Sequence, residues 1–380
     1  MKIFFEKICF NLSVFLFGTY FCIVLFSFKV FAETGFQPSP ACATCHENKY
    51  MEWRASAMML GMNDKIFKKL YEIAPDEKKK ECLMCHSPAA FLNGDFGFKL
   101  LLSKENIPCD FCHTAKRIIK GGKFDFYEFE PGLMKRGTLK SPDTNLHEGV
   151  YSPLHDDSKF CSTCHQYRLK ETLTIDTVYA EWLKSGYGNK GKHCQDCHMA
   201  PYSVKYDDME ETYYHHTFDG PMKIFFLIDE ENKCVEFISK SIDIGAKIVK
   251  DKRKSEIKID LTNSGIGHLL PGSAHGLRRL GLKVMAFNEK NKKVLEGEEI
   301  LGVILANKNN EEVPFFWDAE KIKSDNRIFP NEKRGFTFIS DSSVKSVVIR
   351  LVEHLIPKET AEILGIQEYE VLLKEYEFSQ

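Results

Sequence analysis

Five Cys-x-x-Cys-His motifs crowd the first half of this 380-residue chain and use ten of its thirteen cysteines. The cysteine pairs are Cys42 and Cys45, Cys82 and Cys85, Cys109 and Cys112, Cys161 and Cys164, and Cys194 and Cys197. The closing histidines are His46, His86, His113, His165 and His198. This spacing is the attachment signature of c-type haem. One helical turn presents both sulfurs to the porphyrin edge, and the adjacent histidine reaches the iron from one face. A lone Cys-x-x-Cys would equally suit zinc, a disulfide or a redox pair. Five copies, each followed directly by histidine, point instead to five covalently bound c-type haems with those five histidines as proximal ligands.

The amino terminus sets the compartment. Lys2 and Lys7 flank the start of an apolar run from Ile8 to Phe28, and Val30-Phe31-Ala32 offers small residues of the kind a signal peptidase prefers. Residues 1–32 are therefore expected to be a secretory signal. The run is long, so an uncleaved anchor with membrane association is the alternative. Either way the rest of the chain is expected outside the cytoplasm, periplasmic or extracellular. Cleavage would remove Lys2, Lys7, Lys29 and Glu6, lowering the formal charge from −2 to about −4. The propionates of five haems would add roughly ten acidic groups, so nothing in the balance favours a nucleic-acid partner. Cys9 and Cys22 leave with the signal, and Cys234 is then a free structural thiol.

Two regions follow. Residues 33–220 hold every motif, punctuated by Pro and Gly, at roughly 40 residues per haem, too few for an ordinary side-chain core. Haems wrapped in short helices and loops must supply that core. His46, Tyr50 and Trp53 recur at helical spacing and share one face. From about residue 221 the pattern changes to alternation: Ile257, Ile259 and Leu261, then Leu280, Leu282, Val284 and Ala286, with a polar turn at 288–293. Ile300–Leu305, Phe336–Ile339 and Val347–Leu351 continue it. The expected fold is a mainly α and irregular multihaem domain (33–220) followed by an all-β, antiparallel sandwich-like domain (221–356). Residues 357–380 read as a C-terminal helix, with Ile363, Ile366 and Leu373 on its apolar positions.

The second axial position decides what a haem does: two strong ligands make an electron carrier, and an open face binds small molecules. Eight histidines remain for that role. His216 follows the fifth motif in an aromatic setting, and His147 and His155 bracket Tyr151-Ser152-Pro153 before the fourth. His268 sits in the glycine-rich connector Asn263–Gly272 of the β region, where small residues let the backbone approach a flat group. His215, His193, His275 and His354 are the others, with solvated or structural roles as the ordinary reading. Met58 is the thioether candidate, and core packing of Met58, Met59 and Met62 is its alternative.

Cys42-Ala-Thr-Cys-His46 with Tyr50, Trp53 and Ser56, Cys109–Thr114, Cys161–Gln166 with Glu181-Trp182, Cys194–Met199 and His216-Thr-Phe218 together resemble the multihaem cytochrome c-554 and hydroxylamine oxidoreductase group. Asn263–Gly272 and Asp325–Pro330 resemble a β-rich carboxy-terminal part of some multihaem cytochromes. The resemblance implies a distal ligand at the position of Met58, where the group commonly has histidine in Trp-x-x-Ser-x-His. It completes a distal set of Met58, His147, His155, His216 and His268.

The function expected is an exported pentahaem cytochrome passing electrons between redox partner proteins, a quinol-side donor and a terminal reductase or extracellular acceptor. The alternative is an oxidoreductase with one open haem acting on a small nitrogen or sulfur compound of the nitrite, hydroxylamine or tetrathionate class. His155, His193, His215 and Arg168 are its available acid–base groups. The resemblance argues against a pentahaem nitrite reductase, in which lysine replaces one motif histidine, since all five motifs here end in His. A docking role for the β region is a third reading.

Overall fold

The computed structural model describes residues 35–140, 142, 144–206, 209–220, 231–251, 254–272 and 275–379. The expected signal, 1–32, lies outside them, as do Cys9, Cys22 and the side chain of Cys234. Through the first half run short helices, among them Ser39–Ala43, Glu47–Arg54, Ala57–Leu60, Lys65–Ile73, Asp76–His86, Cys109–His113, Val178–Lys184 and Cys194–His198. Local chemistry ends and starts them. Ser56 accepts a hydrogen bond from the Met58 amide, and Asp64 accepts one from Ile66 at the head of Lys65–Ile73. Proline precedes or opens several others, where its missing N–H costs nothing.

Short strands occur here too: β1 (Ala115–Ile119) with β2 (Phe126–Phe129), β5 (Tyr167–Lys170) with β6 (Leu173–Asp176), and β7 (Pro201–Tyr206) with β8 (Met209–Tyr214), all antiparallel. β3 (Met134–Gly137) and β4 (Glu148–Tyr151) pair in parallel. Runs of four to six residues are too brief for alternation to stand out in sequence, so the first region is more mixed than the expected helix and loop.

The second half is two antiparallel sheets. One is ordered β14-β10-β9, with β9 Ile242–Asp251, β10 Lys254–Asn263 and β14 Lys333–Ser340. The other is ordered β13-β12-β11-β15-β16, with β11 Arg279–Phe287, β12 Lys293–Ala306, β13 Lys321–Asp325, β15 Ser346–His354 and β16 Glu370–Ser379. The alternation has its expected cause. Ile257, Ile259 and Leu261 from one sheet and Leu280, Leu282, Ile349 and Leu351 from the other are fully buried in one core. Each such side chain contributes about 1.5–3 kcal/mol over leaving it exposed.

The C-terminal helix expected over 357–380 is corrected. Helix covers only Lys358–Leu364; Gly365, at φ 62°, stops it in the left-handed conformation that glycine adopts freely. Beyond it β16 pairs antiparallel with β15, burying Val371 and Leu373 while Leu372 faces out. Leu373 fits a helical spacing from Ile366 as well as a strand, and the glycine was the deciding residue.

The two regions share cores. Ile66 and Leu70 of the first half pack in the sandwich core, and Tyr167, Leu169, Leu173 and Ile175 cluster with Val303, Leu305 and Ala319. A strand at the C terminus makes a sharp prediction. Leu373→Ala should lower stability by about 2–5 kcal/mol, and Leu372→Ala should stay within about 0.5 kcal/mol. Equal shifts in the urea midpoint would contradict the strand.

Candidate haem-binding site

Each motif is wound so that its first cysteine and its histidine lie one helical turn apart. The His46 amide donates to the Cys42 carbonyl at 2.9 Å and the His165 amide to Cys161 at 3.0 Å. Cys109–His113 and Cys194–His198 are single helical turns, and Cys82–His86 closes the helix Asp76–His86. A cavity of about 1300 Å³ runs past all five, lined by every motif cysteine and histidine together with Met58, His147, His155, His216, His268 and His275. No side chain fills it.

Ring pairs give the cavity its chemistry. His46 and His147 have centroids 6.1 Å apart, His113 and His216 6.0 Å, and His198 and His268 6.5 Å. Metal–imidazole bonds of about 2 Å on both sides of one iron would leave trans rings about 6 Å apart. The ring nitrogens agree. His113 donates Nδ1–H to the Arg136 carbonyl at 2.7 Å and His198 to Asp219 at 2.5 Å. His216 does so to Tyr214 at 3.2 Å and His268 to Leu269 at 3.0 Å. A carbonyl only accepts, so Nδ1 carries the proton and Nε2 keeps its lone pair for a metal. Burial holds His113, His198 and His268 below the usual imidazole range and takes His216 to about 3. They are neutral at neutral pH, which is the form that ligates.

His155 is placed differently. Its ring also lies 6.2 Å from His113, but Nε2 donates to the Cys112 carbonyl at 3.0 Å, and Nδ1 is buried without a partner. Met58 lines the cavity on a turn held by Ser56 and by the Ile107 amide, which donates to its carbonyl. Gly61, three residues on, lies against the His86 ring. Neither His86 nor His165 has an imidazole stacked or facing it among the described ring contacts; Phe67 stacks on His86 at 3.8 Å. The candidate acid–base groups are tied to separate partners. His193 meets Ser158 and packs on Trp182, His215 pairs with Glu52 at 2.6 Å, and Arg168 reaches the Gly122 carbonyl on the surface.

The loop that carries His268 is fixed from both sides. The Asn263 side-chain Nδ2 donates to the His268 carbonyl at 3.0 Å, and Leu270 bridges Ile328. Glu181, buried in the helix Val178–Lys184, accepts from the Leu269 amide at 3.1 Å and pairs with Arg327 at 2.9 Å. Arg327 also binds Asp325. Sequence reading passed over this network's role, although Glu181 and the Asp325–Pro330 segment stood among the resembling residues.

The thiols, standing where thioether sulfurs belong, touch across motifs. Cys42 lies beside Cys109, Cys85 beside Cys164, and Cys161 beside Cys194. Tyr127 fills the space between the third and fourth motifs, its ring against Phe111 and Phe160.

The profile of the family described as cytochrome c554 and c-prime matches residues 41–114. A penta-heme cytochrome c552 from Thermochromatium tepidum superposes with a TM-score of 0.75 at 19% identity, over 91% of this chain and 99% of that one. The chain shares the fold of that penta-heme cytochrome. The putative ApaA protein from Bordetella pertussis aligns over 36% of this chain and 90% of its own length, at 9% identity and a TM-score of 0.17. A β-glucosidase from Kluyveromyces marxianus aligns over 37% of this chain and 14% of its own, at 11% identity and a TM-score of 0.16. No curated protein sequence matches the chain.

Glu181 gives the test of this site. Its ion pair with Arg327 is almost wholly buried, so Glu181→Ala should cost about 3–5 kcal/mol by leaving a buried guanidinium short of a partner. Lys69→Ala, which opens the exposed pair with Glu72, should move stability by less than about 1 kcal/mol. Urea unfolding of the two variants measures both.

Proposed function

We propose that this protein is an exported electron-transfer cytochrome, with five covalent haems carrying electrons between redox partner proteins. The observation that carries the reading is the set of three imidazole pairs, each one iron apart, lining a single cavity. Haem bound there would supply the one-electron couple. The protein's own part is to hold ligands and set burial. His46 with His147, His113 with His216, and His198 with His268 would hold haem iron between them, and an iron so held would suit outer-sphere transfer. Thiol contacts join the first motif to the third, the second to the fourth and the fourth to the fifth, and Tyr127 spans the third and fourth. That arrangement supports a continuous path, with the second site branching from the fourth.

His155 and Met58 are the residues the sequence reading adds for the remaining irons, Met58 on the turn beside His86. The apolar run of residues 8–28 supports export, and among the described residues no helix is long and apolar enough to cross a membrane. The donor and acceptor are proposed by class, a quinol-side or periplasmic protein and a terminal reductase or extracellular acceptor.

A second reading has an observation of its own. His86 and His165 lack a facing imidazole, so an open iron at either would suit an oxidoreductase of small nitrogen or sulfur compounds. Optical and EPR spectra of the purified ferric protein separate the two. The carrier reading expects five covalent haems, low-spin throughout, unchanged by cyanide or nitrite. A high-spin fraction that binds either ligand would replace it with the enzyme reading. For Met58 the expected sign is the weak long-wavelength absorption of methionine-ligated ferric haem, abolished in Met58→Ala; a band that survives the substitution removes Met58 from the set.

A further inference from the structure

Two motif histidines, His86 and His165, are left without a facing imidazole, and one further histidine lines the same cavity. His275 lies on the connector between β10 and β11, seven residues beyond His268. Its ring is boxed by Tyr167, edge-on at 5.6 Å, and by Phe316 at 4.8 Å. Tyr167 stands two residues after His165 and donates its hydroxyl to Glu81 at 2.7 Å, the residue directly before Cys82. The box around His275 is therefore built from both incomplete motifs at once.

The ring is paid for by nothing else in view. Its Nδ1 is buried without a hydrogen-bond partner, and no bond to the ring occurs among the described residues. A buried histidine kept for packing normally has its nitrogens satisfied, because an unpaired polar atom in the interior is costly. The backbone adds to the cost. His275 adopts φ 53°, in the left-handed region, followed by Gly276 at φ 77°. Strain and an unpaired ring together mark a side chain aimed at a partner that the polypeptide does not provide.

We infer that His275 is an axial ligand to the iron of one of the two haems attached through His86 and His165. The inference rests on the haem-binding reading above and adds to it a second ligand from the β region. His268 and His275 then lie on one connector and serve different haems, so the sandwich closes two of the five sites. One iron remains for His155 or Met58.

The test uses the full-length holoprotein. Glycine adopts positive φ freely, so His275→Gly deletes the ring while easing the backbone. The expected result is an unchanged count of covalent haems, with one haem moved from low to high spin in the ferric EPR spectrum. Added imidazole should return it to low spin. His193→Ala, which removes a ring already bonded to Ser158, should leave the spectrum as it was. His275→Met is the second variant: it should keep the haem low-spin, add a methionine–iron absorption and raise one reduction potential. A full haem complement with an unaltered spin distribution in His275→Gly, and no new band in His275→Met, would overturn the assignment. A parent protein without covalent haem would instead remove the haem reading itself, an outcome that haem counting tells apart.

Discussion

Neutral imidazoles buried around a space that no side chain fills set the terms for this fold. Ten motif cysteines and a ring of histidines line one cavity of about 1300 Å³. Burial also removes the option of charge. His86 and His216 are held near 3 and His155 near 4, so protonation would cost folding free energy. Because the folded values lie below the unfolded one, this stability is present above about pH 6.5 and is lost as the pH falls toward the folded values. Two of the facing pairs, His113 with His216 and His198 with His268, combine burial that disfavours charge, Nδ1–H bonds to carbonyls and centroids 6.0 and 6.5 Å apart.

The β region belongs to that arrangement. Its own core would fold as an ordinary antiparallel sandwich, and its strands carry no haem motif. Yet its connector delivers His268 opposite His198, and Glu181 of the haem-bearing half grips both the next amide and Arg327. A buried ion pair stabilises weakly in net terms, because both charges lose water. Its value here is positional: Glu181 holds the Leu269 amide of the His268 connector and Arg327 of the neighbouring connector after β13, and so fixes the segment that carries His268.

The five Cys-x-x-Cys-His motifs stand out in the sequence because attachment chemistry is local, confined to five residues. The sandwich strands were legible for the same reason, since Ile257, Ile259 and Leu261 announce one buried face by alternation alone. The facing of histidine rings was not, because His46 meets His147, and His198 meets His268, across long stretches of chain that no spacing rule connects. The C-terminal segment failed more simply. Leu373 satisfies both periods, and Gly365 decided between them by ending the helix, leaving Val371 and Leu373 to alternate along β16. Nothing in its spacing distinguishes His275 from other loop histidines; its aromatic box, its orphaned Nδ1 and its φ of 53° are features of the fold.

Sharing cores across the two halves ties redox geometry to folding. Ile66 and Leu70 anchor the helix that also presents Phe67 to His86, and Tyr167 joins a hydrophobic cluster while its hydroxyl holds Glu81 beside Cys82. The residues that position the second and fourth motifs are thus the same ones that seal the sandwich to the haem-bearing half. In the proposed reading, haem insertion would cross-link segments that side-chain packing has already brought close, adding ligand bonds from His268 and His275 across the same seam. Site geometry and domain contact then rise and fall together, and a change that loosens the seam should be felt first at the irons whose ligands come from the β region.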